Sequence, residues 1–477
     1  MIHQFKSNGY NIVLDVESGS IHVVDQLAYD AIHVLKRENF FTSRTIEKIK
    51  DRTTLSAEET LTDEMGRELS SHLSHQYPEA KLLEVAGEIA TLIGADLLFS
   101  PLIEEEQVWN HTPVVKALCL HIAHDCNLVC KYCFAKEGEY HGKRELMSLE
   151  VGKKALDFLV AHSGKRRNLE VDFFGGEPLM NWQVVKELVA YGREQELEKG
   201  KNFRFTLTTN GILLNDEVMD FANQEMENVV LSLDGRREIN DKMRPTSNGK
   251  GSYDIVVPKF QEFVKKRGDR EYFIRGTFTR ENLDFVKDIQ HFAKLGFKKI
   301  SIEPVVLEEE SELAIREEDL QEISNQYDEL AEVMMNNQGT EEEFTFFHFL
   351  LDLEGGPCVA KRVSGCGAGT EYLAVTPTGE LYPCHQFVGR EQFLLGNVEE
   401  GLLRPEISEE FGKCNVYAKE ECENCFAKYY CSGGCMANAY EFHKDINKIY
   451  EIGCKMEKKR VECAIMLKVA QFSREVE

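Results

Sequence analysis

The chain has 477 residues, a formal net charge of −26 and 14 cysteines. That length suffices for two or three domains, and so acidic a balance disfavours nucleic acid, whose phosphates demand a basic face. Met1 is not followed by a basic region and an apolar run, and no stretch approaches the roughly 20 apolar residues of a membrane span; a soluble cytoplasmic protein with no membrane partner is expected.

Residues 1–95 read as a separate unit that lacks cysteine. Two β-rich runs, Asn11–Val16 and Ile21–Asp25, flank a Ser-Gly turn and predict a hairpin. "QLAYDAIHVLK" and "AKLLEVAGEIATLIGADLLF" then carry apolar residues at helical spacing. Residues 96–113 read as a linker. From 114 to 337 six apolar runs, "KALCLHIA", "LEVDFFGG", "FRFTLTTNG", "NVVLSLDG", "YFIRGTFT" and "KKISIEPVV", alternate with charged helical segments at 149–163, 181–199, 215–226, 251–266, 284–295 and 312–335. Strand–helix alternation of this kind predicts an α/β fold with a parallel sheet, as a barrel or a doubly wound sheet, its strands covered on both faces and its site at their carboxyl ends. From Gly355 onward cysteine and glycine replace the periodicity, and 455–477 read as a charged amphipathic helix. Metal centres standing in for a hydrophobic core would give that composition.

In a reducing compartment disulfides rarely persist, so clustered cysteines read as metal binding. "HDCNLVCKYCF", His124 to Phe134, sets Cys126, Cys130 and Cys133 in the spacing C-x3-C-x2-C, with an aromatic residue after the third. A structural zinc site wants four closed ligands. Three thiolates with no fourth beside them suit a four-iron cluster that leaves one iron open to a small chelating molecule. On the loop after the first of six βα units, with "FFGGEP" after the second, this motif resembles the radical S-adenosylmethionine superfamily. The resemblance implies a partial (β/α)6 barrel. It also implies that the open iron binds the amino and carboxylate groups of S-adenosylmethionine, and that a reduced cluster cleaves it to a hydrogen-abstracting 5′-deoxyadenosyl radical. Gly175, Gly176, Glu177 and Pro178 would let backbone approach that ligand and offer an acceptor to its ammonium. Ser232 and Arg244 are candidates for its carboxylate or ribose, and Phe134 would pack beside the adenine.

Cys366, Gly379 and Cys384, followed by Cys422, Cys425, Cys431, Cys435 and Cys454, stand in the order of the SPASM domain of peptide-modifying radical enzymes, here 338–477. The resemblance implies two auxiliary four-iron clusters, making three in all: an outer one on Cys422, Cys425, Cys431 and Cys454, and an inner one on Cys366, Cys384 and Cys435. Cys358 is placed to be a fourth inner ligand; without it that cluster has an open iron. Such a cluster can relay an electron or bind a substrate thiolate. Cys119, Cys414 and Cys463 read as buried thiols, and His385 as a surface histidine, with proton transfer as the alternative.

The N-terminal unit resembles the winged-helix-like peptide-recognition element of ribosomal peptide maturation, whose strand edge takes a leader peptide by strand addition. Over nearly the whole chain, with "NIVLDVESGSIHVVD" and "GPCVAKRVSGCGAG", the sequence resembles the maturases of "six cysteines in forty-five" peptides. That implies thioether formation between a cysteine sulfur and a carbon of a residue such as threonine in a cysteine-rich precursor peptide, with a flavodoxin or ferredoxin as electron donor. Two alternatives stand. An anaerobic sulfatase-maturing enzyme usually has Asp where His385 follows Cys384. A non-catalytic iron–sulfur protein that binds peptides or senses redox state would not need the Gly-Gly-Glu-Pro turn.

Overall fold

The computed structural model describes residues 1–38, 40–41, 55–103, 113–136, 138–140, 142–351 and 363–476. The chain opens with a three-stranded antiparallel sheet, β1 (Ile2–Ser7), β2 (Tyr10–Asp15) and β3 (Ile21–Val24), in that order. The expected hairpin is β2–β3. β1 escapes the pattern because "IHQFKS" does not alternate, burying only Ile2 and Phe5. Helices Gln26–Arg37, Leu55–Leu73 and Glu79–Gly94 cover one face of this sheet. Asp25 caps the first of them, accepting from the Ala28 N–H at 2.8 Å.

The N-terminal unit has a core of its own and is also packed against the rest of the molecule. Phe5, Ile12, Leu14 and Val16 belong to the main core of the molecule, whereas Ile2 and Val13 face the unit's own helices. Glu17 and Lys428, 1% and 4% exposed, form an ion pair at 2.9 Å across the join. The start of the expected linker is pinned as well: the Ser100 N–H donates to Asp15 at 2.8 Å and the Ile103 N–H to Glu17 at 3.2 Å.

The six expected strands form one parallel run: β4 (Ala117–His124), then β6 (Asn168–Gly175), β7 (Asn202–Thr209), β8 (Met226–Ser232), β9 (Tyr272–Phe278) and β10 (Lys299–Pro304), with the two-residue β5 (Glu145–Leu146) beside β4. Only β4 is buried throughout; along β6 buried Leu169, Val171 and Phe173 alternate with part-buried Asp172 and Phe174. One face of the sheet meets helices and the other opens into a cavity, which corrects the expectation of strands closed on both sides.

The C-terminal region extends the sheet at both ends. β11 (Thr345–Phe346) lies parallel to β10, and β12 (Tyr372–Val375) lies parallel to β4, followed by β13 (Glu380–Tyr382), β14 (Gly396–Asn397) and β15 (Gly401–Leu402). The last helix, Glu451–Val476, carries Cys454 in its first turn and packs on the helix Leu320–Asn337. Among the described residues no helix is long and apolar enough to cross a membrane.

Candidate functional site

The three-cysteine loop leaves β4 at His124 and is latched to a neighbouring segment by backbone bonds. Val129 N–H donates to Pro245 O at 2.9 Å and Lys131 N–H to Met243 O at 3.0 Å. Tyr132, between the second and third cysteines, is the residue the sequence reading passed over. Its hydroxyl lies 2.8 and 2.7 Å from the two carboxylate oxygens of Asp234, and Arg244 Nη1 donates to it at 2.8 Å. Arg244 is thus committed in part to Tyr132 and to Asp234, 3.5 Å away, while its side chain still lines the cavity.

The two glycines after β6 serve the loop. A Cβ on Gly175 would stand 2.4 Å from Ala123 O, and one on Gly176 2.2 Å from Asp125 O. The backbone they bring close is the end of β4 and the start of the cysteine loop, and both glycines also border the cavity described below. Gly175 also has φ +121°, a conformation side chains avoid. Glu177 is fully buried and accepts from Leu179 N–H at 3.0 Å, Thr209 Oγ1 at 2.8 Å and Asn210 N–H at 2.7 Å. It staples the ends of β6 and β7 together and also borders the cavity described below. Burial pushes its carboxyl pKa up against the opposing pull of these donors. Pro178 opens a short 3-10 turn, Pro178–Asn181. Asn210 in turn donates to Asn127 Oδ1 at 2.7 Å and lies 3.7 Å from Cys126 Sγ.

Glu177→Ala would strand three buried donors, at about 1–3 kcal/mol each. Its expected result is loss of iron from the three-cysteine loop and weaker S-adenosylmethionine binding, read by iron analysis and calorimetric titration. Glu177→Gln, which keeps an acceptor, should lose less; equal behaviour of the Ala variant and wild type would refute the staple.

The thirteen described cysteines are all free thiols. Burial first, then Glu177 and Cys133, raises Cys126 to about 11; burial, then Asp234, Cys133 and Cys126, raises Cys130 to about 12 against the pull of Arg244. Burial and then Cys435 and Cys366 raise Cys384. Burial and then the neighbouring thiols of Cys422 and Cys425 raise Cys454 to about 12, and Cys431 is raised by burial, Glu457 and those same thiols. The thiols thus influence one another within three groups, Cys126 with Cys130 and Cys133, Cys384 with Cys366 and Cys435, and Cys431 with Cys422, Cys425 and Cys454; Cys358 lies outside the described residues. Coordination to a cationic centre would relieve the repulsion within each set. Three thiolates about one zinc, at about 2.3 Å each, would lie about 3.8 Å apart. Among the described residues no three cysteine sulfurs lie within 4.8 Å of one another. The donor sets fit multi-iron clusters better than single ions.

A cavity of about 770 Å³ is shared by two of these groups: Cys126, Cys130 and Cys133 line it, and so do Cys366 and Cys435. Ser232 lies in its wall. Phe134, 46% exposed, stands edge-on to Tyr140 at 5.9 Å and 5.6 Å from the His385 ring. His385 is a wall residue of this cavity, 5.2 Å from Phe174, which corrects its reading as a surface histidine. Burial lowers its imidazole to about 4. Cys414 donates to Ile446 O at 3.1 Å and Cys463 lies 3.7 Å from Asp328 Oδ1; both are buried apart from the three sets, as is Cys119.

Comparison with known proteins agrees with this arrangement. The 4Fe-4S single cluster domain matches residues 116–258 and the SPASM iron-sulfur cluster-binding domain matches 366–426. The radical SAM cyclopropyl synthase TigE of Paramaledivibacter caminithermalis is 23% identical over 362 residues, 72% of this chain and 72% of its own length. The solved structure of native anSMEcpe with bound AdoMet superposes with a TM-score of 0.62 at 21% identity, covering 75% of this chain and 99% of that one. Streptococcus suis SuiB bound to precursor peptide SuiA superposes at 0.51 with 14% identity, covering 94% and 97%. With a 4Fe-4S single cluster domain matched along the parallel sheet and an SPASM domain matched in the region joined to it, the chain is similar to radical S-adenosylmethionine/SPASM proteins and shares their fold.

Proposed function

We propose that this chain is a radical S-adenosylmethionine enzyme that links a cysteine sulfur to a carbon of an acceptor residue, such as threonine, in a ribosomally made cysteine-rich peptide. The supporting observation is that one cavity is bordered both by Cys126, Cys130 and Cys133 and by Cys366 and Cys435. Four-iron clusters on these thiols would supply the electron that cleaves S-adenosylmethionine and take up the electron the peptide gives back. The peptide loses two hydrogens overall: one as a hydrogen atom to the 5′-deoxyadenosyl fragment, the other as the thiol proton, with one electron leaving. A flavodoxin or ferredoxin would supply the reducing electron. The chain's own part is to hold and shield. The Glu177 staple fixes the β6 and β7 ends, Tyr132 and Asp234 fix the loop, and Phe134, Phe174 and His385 wall the reacting space.

Peptide recognition is assigned to the N-terminal sheet. The β1 side is engaged by the C-terminal region: His3 stacks on Phe426 at 3.5 Å and bonds Glu462 at 2.9 Å. β3 is the other edge strand, and Val23 on it is 52% exposed. A leader segment adding there as a fourth strand would use main-chain hydrogen bonds; SuiB, similar in fold, has been solved with its precursor peptide.

The test is to incubate reduced, iron-loaded protein with S-adenosylmethionine and a cysteine-rich peptide encoded beside its gene. Expected are 5′-deoxyadenosine and a peptide lighter by two hydrogens that keeps its sulfur. Conversion of the cysteine to formylglycine, with loss of sulfur, would overturn the thioether in favour of a sulfatase-maturing activity. Full iron with no 5′-deoxyadenosine would leave a non-catalytic peptide binder.

A further inference from the structure

Lys419 is 2% exposed. Its ammonium donates to two carbonyl oxygens, Gly433 O at 2.8 Å and Lys448 O at 3.2 Å, and to the thiol of Cys414, and to no carboxylate among the described residues. Burying an ammonium with no anion beside it is costly. The place it occupies is where the auxiliary thiols meet. Lys419 precedes Cys422 by three residues. Gly433 is the centre of Ser432–Gly433–Gly434, whose φ values of +57°, +81° and +77° carry the chain through the left-handed region from Cys431 of the outer set to Cys435 of the inner set. Lys448 lies on the approach to Cys454. One cation therefore ties the crossover between the two sets to the segment leading to the last outer thiol. Its charge opposes burial at Cys414, which belongs to neither set, and it acts on both sets, opposing burial at Cys422 and Cys454 and also at Cys435.

We propose that Lys419 is a buried counter-charge shared by the two auxiliary sets, which raises the reduction potentials of the clusters they hold, the outer one most. The inference rests on the reading of these thiols as cluster ligands. A cluster that accepts one electron becomes more negative by one charge, and a fixed cation close by in a medium of low dielectric favours that form. Lys419 acts through the clusters and touches no substrate; it is a positioning and tuning residue.

The test is a potentiometric titration followed by electron paramagnetic resonance, on full-length chain with Cys126, Cys130 and Cys133 changed to Ala so that only auxiliary clusters report. Lys419→Gln keeps an N–H donor for the carbonyls and removes the charge. At the wild-type midpoint its reduced-to-oxidised ratio should fall about tenfold, equivalent to about 59 mV for one electron, and Lys419→Arg should stay at the wild-type value. A Gln variant with full auxiliary iron and an unchanged midpoint overturns the proposal and makes Lys419 a mechanical pin. Should the Gln variant lose iron, Lys419→His decides: between about pH 6 and pH 8.5 its added charge is lost. Its midpoint must then fall further than that of the parent over the same interval; an equal pH response overturns the proposal. Absence of auxiliary iron from the parent would instead refute the ligand reading beneath it.

Discussion

A chain with Cys126, Cys130 and Cys133 all changed to Ala is expected to form no 5′-deoxyadenosine while retaining about eight irons, the content of two four-iron clusters. The expectation follows from how the three thiol sets are held. The first set sits on one loop, fastened by the Val129 and Lys131 backbone bonds to the 243–245 segment and by Tyr132 to Asp234, and none of these contacts uses a sulfur. The other sets hang on the C-terminal region, with its own cysteine-bearing turns and the helix Glu451–Val476. Loss of the first set should leave the fold and the auxiliary irons in place. Iron analysis and chromatographic detection of 5′-deoxyadenosine check both halves. Wild-type cleavage by the triple variant would refute the assignment of the loop, and loss of all iron would refute the independence of the sets.

The second large effect concerns stability. Lys428→Met is expected to cost about 3–5 kcal/mol, because it leaves a buried carboxylate without its cation. Glu17 is 1% exposed, and its remaining partners, the Tyr429 hydroxyl at 3.0 Å and the Ile103 N–H at 3.2 Å, carry no charge. The double variant Glu17→Gln with Lys428→Met removes both charges and should recover part of the loss. Denaturant unfolding of iron-loaded protein, followed by circular dichroism, measures all three. An unchanged midpoint for Lys428→Met would mean that the N-terminal sheet is not fastened through this pair. The same packing makes deletion of residues 1–95 a poor probe of peptide recognition. It would expose the core faces left by Phe5, Ile12, Leu14 and Val16 and strand Lys428. Substitutions along the exposed edge of β3 test recognition without that damage.

Most of the barrel was legible because its strands and helices keep their own periods: each of the six apolar runs is a strand, and the helices begin within a few residues of the charged segments except the last. That one starts at Leu320 rather than 312, after a 3-10 turn at Glu317–Asp319. The spacing of the cysteines proposes the thiol sets, since ligand order is local information. What escaped was set by long-range pairing. β1 depends on partner strand β2 rather than on its own pattern, and β12 is four residues whose place beside β4 nothing local announces. The roles of Glu177, Tyr132 and His385 depend on which groups the fold brings opposite them. A buried carboxylate that staples two strand ends reads the same in sequence as one that waits for a ligand. Asn210 had one signal, its position in the Thr-Asn-Gly turn after β7, but its bond to Asn127 needs the structure. Cys358 falls outside the described residues.

The parallel pairing of β12 with β4 acts as a fixed caliper. It runs from Tyr372 opposite Ala117 to Val375 opposite Leu120. β4 ends two residues before Cys126, and β13, the next strand after β12, ends two residues before Cys384. Both jaws are thus mounted on one hydrogen-bonded frame, and a slip of one residue would turn every side chain of β12 to the opposite face. The register between the two strand ends is thereby set by backbone pairing rather than by the substrate. Under the thioether reading, a peptide whose sulfur and acceptor carbon lie far apart in sequence must bulge its intervening residues outward. The size of the ring it forms is then chosen by the peptide, and the reach across the gap by the enzyme.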